Sequence, residues 1–249
     1  IEPNQVMPVG RSRRVTRCIP LAALALDPVE RRKVDRYLDV TKSALLFGGR
    51  VLLVEGIAEA LLLPIIAKSF TLKDEQEKLR LFRSAVLVPI DGVDFVPYAK
   101  LLTTTVNDAR IAARVVVMTD GDRGKGNKED DEDQVEAVEA VAGDDDSLAA
   151  QGGPILLPGQ RRKAELDALA NQNGAVDSLV AITSTYTLET ELLEAGNSAI
   201  LRKAYLTLHK RSAEKWDTAA SLEGDARAKA IEQIFKETRK GDFAQVLAE

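Results

Sequence analysis

Three short apolar runs, each closed by an acid and a glycine, constrain this chain more than any other feature. Val51–Val54 ends at Glu55-Gly56, Ser84–Ile90 ends at Asp91-Gly92, and Arg114–Met118 ends at Thr119-Asp120-Gly121-Asp122. Continuous rather than alternating apolar strands are buried on both faces, which is the habit of parallel sheets covered by helices. The first two runs lead into stretches with helical spacing, Ile57–Phe70 and about Phe95–Val106. The expected fold is therefore α/β, a mostly parallel sheet flanked by helices. Ligand sites in such sheets form at the carboxyl ends of the strands, where these acids lie.

Composition sets the outer limits. The chain has 249 residues, which at ~150 residues per domain allows one large or two small domains. Its 34 Lys and Arg against 39 Asp and Glu give a net charge of −5. Bulk charge therefore does not hold it to nucleic acid; any DNA contact needs a local basic surface or bridging cations. One cysteine, Cys18, excludes an internal disulfide framework and a four-cysteine zinc site, and one histidine, His209, excludes paired-histidine zinc motifs. The most apolar stretches, Ile19–Leu26 and Ala60–Ala67, fall short of the ~20 residues of a membrane helix. No secretory leader pattern is present, so a cytoplasmic protein with no membrane partner is expected. The chain starts at Ile1, and a fragment of a longer protein is expected.

Residues 1–18 read as a lead-in with a basic run, Arg11, Arg13, Arg14 and Arg17. Asp27–Leu46 reads as helical. Residues 123–153 read as an acidic insertion around a short helix, Gln134–Val141, with Glu129–Asp133 and Asp144–Asp146 as its solvated charge blocks. Ile155–Leu157 and Leu179–Ile182 are further strand candidates. Helical patterns continue over Leu188–Glu194, Ser198–Trp216, Ala226–Lys240 and Phe243–Ala248. The expected division is 1–47 as lead-in and a helix on the core, 48–190 as the sheet domain, and 191–249 as an α-helical subdomain.

Glu55 ends a strand and Glu59 follows one helical turn later, a spacing that lets both carboxylates face one point above the sheet edge. Asp120 and Asp122 alternate at the end of the third strand and share a face. Gly56 and Gly121 are expected to permit the turns between them. Four such carboxylates repel one another, and hard cations such as Mg²⁺ or Mn²⁺ would relieve that through oxygen ligands. Each acid taken alone equally fits a turn or cap, since Asp-Gly is a common turn signal. On the residues alone both readings stand.

The sequence Val51-Leu-Leu-Val-Glu-Gly-Ile-Ala-Glu59 resembles the first motif of a Toprim domain, and Val115-Val-Val-Met-Thr-Asp-Gly-Asp122 resembles its Asp-x-Asp motif. The flanks are similar to the C-terminal region of OLD-family (overcoming lysogenization defect) nucleases. They are Arg36-Tyr-Leu-Asp-Val-Thr-Lys-Ser-Ala-Leu-Leu-Phe-Gly-Gly-Arg50, Thr187-Leu-Glu-Thr-Glu-Leu192 and Arg239-Lys-Gly-Asp-Phe-Ala-Gln-Val-Leu-Ala248. The resemblance runs from about residue 36 to the end and is weakest over 123–160. It implies a Toprim sheet and metal-dependent endonucleolytic cleavage of DNA with two Mg²⁺ or Mn²⁺ ions. Glu55, Glu59, Asp120 and Asp122 fill the acidic places, Glu189 matches a later metal-binding glutamate, and Lys240 matches a lysine near the scissile phosphate. Glu191 is a weaker candidate, and Asp91 departs from the family pattern. The resemblance also implies an N-terminal ABC-type ATPase as partner domain; no Gly-x-x-x-x-Gly-Lys-Ser/Thr occurs in this chain.

In a two-metal site, cations ~4 Å apart flank the phosphate, one activating water and one stabilising the leaving oxygen. The expected partition pairs Glu59 with Asp120, and Glu55 with Asp122 and Glu189, while Lys240 offsets charge on the phosphate. Trp216 and Phe235 are expected in the core of the terminal helices, and His209 as a packing or surface residue. Tyr186 is not expected to be a nucleophile. Arg123 and Lys125 either touch the DNA backbone or neutralise the neighbouring acids. The rival reading is a non-catalytic DNA-binding or assembly module with one structural Mg²⁺; the C-terminal helices could support a homodimer in either case.

Overall fold

A computed structural model describes residues 5–6, 17–19, 23–24, 26–38, 43–121 and 156–249. Asp122, Arg123, Lys125, the acidic blocks and the expected helix Gln134–Val141 lie outside the described residues. So does the run Arg11, Arg13 and Arg14. Within the lead-in, β1 (Gln5–Val6) and β2 (Arg17–Cys18) pair antiparallel.

Four parallel strands make the main sheet: β3 (Arg50–Val54), β4 (Val86–Pro89), β5 (Arg114–Thr119) and β6 (Leu179–Thr183), in the order β4-β3-β5-β6. The register aligns Val54 with Pro89 on one side and Met118 on the other, and Thr119 with Thr183. The three apolar runs are thus adjacent strands, and all four strands end at the same edge. After β3 the chain moves outward to β4 and then crosses back to β5 on β3's other side. The reversal of direction makes the gap between β3 and β5 the topological switch point.

Right-handed crossovers running in opposite directions put their helices on opposite faces. On one face α1 (Pro28–Tyr37), α4 (Val96–Thr103) and α5 (Pro158–Gln172) bury Val34, Phe95, Leu101, Leu102, Leu166 and Leu169 against the sheet residues Val51, Leu53, Val115, Val117 and Leu179. α2 (Ile57–Ile66) continues into a wider turn, Ala67–Thr71, beyond the internal Pro64, and α3 (Gln76–Arg83) follows. α6 (Leu188–Glu194), α7 (Ser198–Leu208), α8 (Ala213–Ala220), α9 (Gly224–Lys236) and α10 (Lys240–Ala248) form the helical part. Its core is Trp216, with Tyr205, Ile231, Ile234, Phe235 and Phe243. A third cluster, Ala58, Leu62, Leu188 and Ala244, joins α2 to α6 and α10.

Several element boundaries differ from the sequence expectation. The long helix over Asp27–Leu46 is α1 plus a 3₁₀ turn, Ser43–Phe47. Ser198–Trp216 is two helices, because α7 stops at His209. There the ring packs on Tyr205 at 4.7 Å and Nε2 lies 3.1 Å from Thr238 Oγ1. The turn brings Trp216 back over Tyr205, with ring centroids 5.1 Å apart. Of the expected strand Ile155–Leu157, Ile155 lies outside the described residues, and Leu156 and Leu157 are not in a strand. Leu156 and Leu157 lead into α5, where Pro158 occupies the first turn and the Gln160 side chain accepts from Leu157 N–H at 3.1 Å. α3 and α5 carry no sequence expectation at all.

Candidate metal centre

The carboxyl edge of the sheet gathers most of the expected site residues. Glu55 leaves β3, and its Oε1 accepts from Asp120 N–H at 2.7 Å and from the Thr119 hydroxyl. The end of β3 is thereby tied to the end of β5 across the switch point. Glu59 lies in the first turn of α2, where its Oε2 accepts from Gly56 N–H at 3.0 Å. That bond satisfies a helix-start donor and fixes the carboxylate over the strand ends. Gly56 adopts an extended conformation (φ −145°, ψ −174°), so the turn there does not depend on glycine.

Asp120 and Gly121 owe their position to close packing. A Cβ on Gly121 would stand 2.2 Å from Ser184 O and 2.4 Å from Thr185 O. A Cβ on Gly159, in the first turn of α5, would stand 2.4 Å from Asp120 O. Only glycines allow α5, the β5 end and the loop after β6 to meet. Space, rather than an unusual φ, is what Gly121 supplies.

Glu189 and Lys240 come from the helical part. Glu189 is 2 % exposed in the first turn of α6. Lys240 opens α10, which packs along α2 closely enough that a Cβ on Gly241 would sit 3.1 Å from Ile57 Cγ2. Lys240 Nζ lies 3.4 Å from Glu189 Oε2, with the lysine side chain 45 % exposed. Glu189 Oε1 is buried and has no hydrogen-bond partner among the described residues, which is costly for a charged oxygen unless something else occupies that position. Glu189 thus meets Lys240, Glu55 is tied to Thr119 and Asp120, and Asp120 feels Glu55, Glu59 and Glu189 together.

Among the described residues the acids of this cluster outnumber the cations beside them. Burial pushes the Asp120 carboxyl well above its ordinary value; Glu55, Glu189 and Glu59 push the same way and Lys240 opposes them. Burial also raises Glu59, and Glu189 adds to it, against its backbone hydrogen bonds and Lys240. Partial burial works against the charge on Lys240, but Glu189, Asp120 and Glu59 outweigh it and raise its pKa. A cation brought among these acids would lower the free energy of every one of them. Among the described residues no three carboxylates stand close enough to form a ready-made cage, and Asp122 is not among those residues. The oxygen-only donor set, its burial and the orphaned Glu189 oxygen fit a hard divalent cation.

Sequence reasoning missed Arg162. From α5 its Nε donates to Thr119 Oγ1 at 2.9 Å and its Nη2 to Asp120 O at 2.7 Å, with Nη2 3.5 Å from Glu55 Oε1. No motif carries it; the only signal was a basic run, Arg161-Arg162-Lys163, beyond the insertion. Glu191 has a structural task, its Oε1 accepting from Thr185 N–H at 2.8 Å and Tyr186 N–H at 3.0 Å. The Tyr186 hydroxyl donates to Asp225 at 2.8 Å. Trp216 and Phe235 are buried, as expected.

Among the described residues no helix is long and apolar enough to cross a membrane. No curated protein matches the chain. Two solved structures are similar over 81 % of it. One is the C-terminal region of the Burkholderia pseudomallei OLD protein, at 22 % identity, TM-score 0.47 and 88 % coverage of that chain. The other is the C-terminal region of the Xanthomonas campestris pv. campestris OLD protein, at 20 % identity, TM-score 0.46 and 85 % coverage of that chain. Residues 46–122, which hold β3, β4, β5 and four of the candidate acids, match the family described as overcoming lysogenization defect protein-like, TOPRIM domain. Residues 46–122 therefore read as a Toprim domain of the OLD-like kind.

Proposed function

We propose that this chain is a Mg²⁺- or Mn²⁺-dependent endodeoxyribonuclease that cleaves phosphodiester bonds with two cations. An OLD-like Toprim domain points to a nuclease-type or metal-binding function. The observation that supports the finer reading is the buried cluster of Glu59 (7 % exposed), Asp120 (9 %) and Glu189 beside Glu55, with Lys240 at its rim. A structural acid is ordinarily neutralised by its neighbours; among the described residues this group holds more acids than cations at the mouth of a switch point.

Glu55, Glu59, Asp120, Asp122 and Glu189 would hold the cations. When bound, these would neutralise the phosphate and make water a competent nucleophile. Lys240, half-exposed and kept protonated by the acids, would bind the non-bridging phosphate oxygens and stabilise the charge that builds on them. Releasing its contact with Glu189 is the movement this role requires. DNA is the proposed substrate. An N-terminal ABC-type ATPase in the full-length protein is part of the proposal through the family likeness, and a homodimer through the C-terminal helices. With a net charge of −5, DNA affinity should be modest and strongly dependent on salt and metal.

The test is supercoiled plasmid with EDTA, Mg²⁺, Mn²⁺ or Ca²⁺, for the wild type and for Glu59→Ala and Lys240→Ala. Metal-dependent nicking or linearisation that collapses in both variants is the expected result. Cutting that survives Glu59→Ala breaks the site assignment. A folded chain that binds a single Mg²⁺ and cuts nothing favours the non-catalytic DNA-binding or assembly module.

A further inference from the structure

Resting on the metal-site reading above, we infer that Arg162 and Thr119 are positioning residues that make Glu55 offer one oxygen, not two, to a bound cation, and so select small octahedral ions over Ca²⁺. The inference starts from donor and acceptor accounting. A guanidinium can only donate. Arg162 Nε donates to Thr119 Oγ1 at 2.9 Å, so the hydroxyl's single proton is directed elsewhere, and it goes to Glu55 Oε1. The same oxygen accepts from Asp120 N–H at 2.7 Å and faces Arg162 Nη2 at 3.5 Å. Protein donors therefore surround Glu55 Oε1. Its carboxylate cannot swing to present both oxygens to one ion without giving up these bonds.

The clamp itself is rigid. Arg162 is held at a second point by Asp120 O at 2.7 Å, and its side chain is 12 % exposed. Thr119 is 2 % exposed at the end of β5. Gly159, three residues before Arg162, brings α5 against the Asp120 carbonyl, so the guanidinium is delivered by a helix in direct contact with the strand it braces. Near the clamp, Glu189 Oε1 is buried and has no hydrogen-bond partner among the described residues.

The chemistry sets the consequence. Ca²⁺ takes six to eight oxygens and favours bidentate carboxylates, whereas Mg²⁺, with Mn²⁺ as its usual substitute, is served by single oxygens in an octahedron. Residues that orient first-sphere ligands typically change metal affinity by ~10–100-fold when removed. A clamp that forbids the bidentate mode should affect the two kinds of ion unequally.

The experiment measures binding of Mn²⁺ alone and of Ca²⁺ alone to the purified chain without DNA, by calorimetry and by metal-induced shift in Tm. The proteins are wild type, Arg162→Met, Arg162→Lys and Thr119→Val. The preference for Mn²⁺ over Ca²⁺ should fall by about tenfold or more in Arg162→Met and Thr119→Val. It should not return in Arg162→Lys, because an ammonium cannot make the two-pronged contact to Thr119 and Asp120. Thr119→Val preserves shape and keeps the test open if Arg162→Met fails to fold. A preference that stays constant, or that lysine restores in full, overturns the clamp while leaving the metal site standing. A wild-type chain that binds neither ion overturns the metal-site reading and the clamp with it.

Discussion

Gly159→Ala is the sharpest probe of how the site is built. An added Cβ would lie 2.4 Å from Asp120 O, 2.7 Å from Gly121 Cα and 2.8 Å from Thr183 Oγ1. The carbonyl must then retreat by about 0.6 Å to reach even a 3.0 Å contact, or α5 must lift by a similar amount. Two of the three atoms are backbone and cannot rotate aside. Overpacking of this kind costs ~1–3 kcal/mol, which at ~2–4 °C per kcal/mol for a chain of this size lowers Tm by ~2–12 °C. Because the displaced backbone carries Asp120 and the Arg162 contact, cleavage should fall further than stability. A misplacement approaching 1 Å can cost about 10²-fold in rate. Differential scanning fluorimetry without metal and Mn²⁺-dependent plasmid nicking measure the two effects. Gly49→Ala is the control: its Cβ meets nothing within 4 Å, and its stability should stay within about 0.5 kcal/mol of wild type, a Tm change of at most ~2 °C. A Gly159→Ala protein with wild-type Tm and wild-type cleavage refutes the close-packing account of the site.

Three further outcomes are expected. Asp120→Asn should raise the Tm of the metal-free protein at neutral pH and remove its Mn²⁺ response, because the substitution deletes a buried, repelled charge; a lower metal-free Tm counts against this. Burial, then the neighbouring acids, raise Asp120 and Glu59 in the folded state, so the native chain binds more protons than the unfolded one. The resulting penalty is full above the raised values and fades as pH falls toward the ordinary 3.8 and 4.5. Metal-free wild type should therefore gain Tm relative to Asp120→Asn on acidification, read from parallel melts. Trp216→Ala removes the 1 % exposed centre of the helical core and should cost ~3–5 kcal/mol, measured by urea denaturation; a loss under about 1 kcal/mol counts against that core. Lys240→Met should abolish cleavage and leave Mn²⁺ binding intact or tighter, since it frees Glu189 of its 3.4 Å cationic neighbour; weaker Mn²⁺ binding by calorimetry argues that the lysine supports the metal site structurally.

The strands and their acids were legible because parallel strands buried on both faces write their position as uninterrupted apolar runs. β3, β4 and β5 coincide with the runs ending at Glu55, Asp91 and Asp120. Helix ends were less legible. Nothing in the spacing of Ser198–Trp216 marks the break at His209, which arises from contacts to Tyr205 and Thr238. α5 escaped notice because it opens on Pro158 and Gly159, runs through three consecutive basic residues, Arg161, Arg162 and Lys163, and buries only a narrow apolar face, Leu166, Leu169 and Ala170. With α5 went Arg162.

By itself, the sequence determined the α/β class, the edge of the sheet that bears the acids, and the identities of Glu55, Glu59, Asp120, Glu189 and Lys240 as residues worth assembling. Local periodicity and residue chemistry carry the class, the edge and the first three of these acids along the chain, whereas Glu189 and Lys240 stand out only through the resemblance to OLD-family sequences. The tertiary structure alone decided which of them meet. It placed Glu189 against Lys240, turned Glu55 onto Thr119 and the Asp120 amide, and brought Arg162 to the ends of β3 and β5. Those pairings join residues about forty to sixty-five positions apart, and they are fixed by how closely two helices and a strand end can pack, a property of three-dimensional fit that no window of sequence contains.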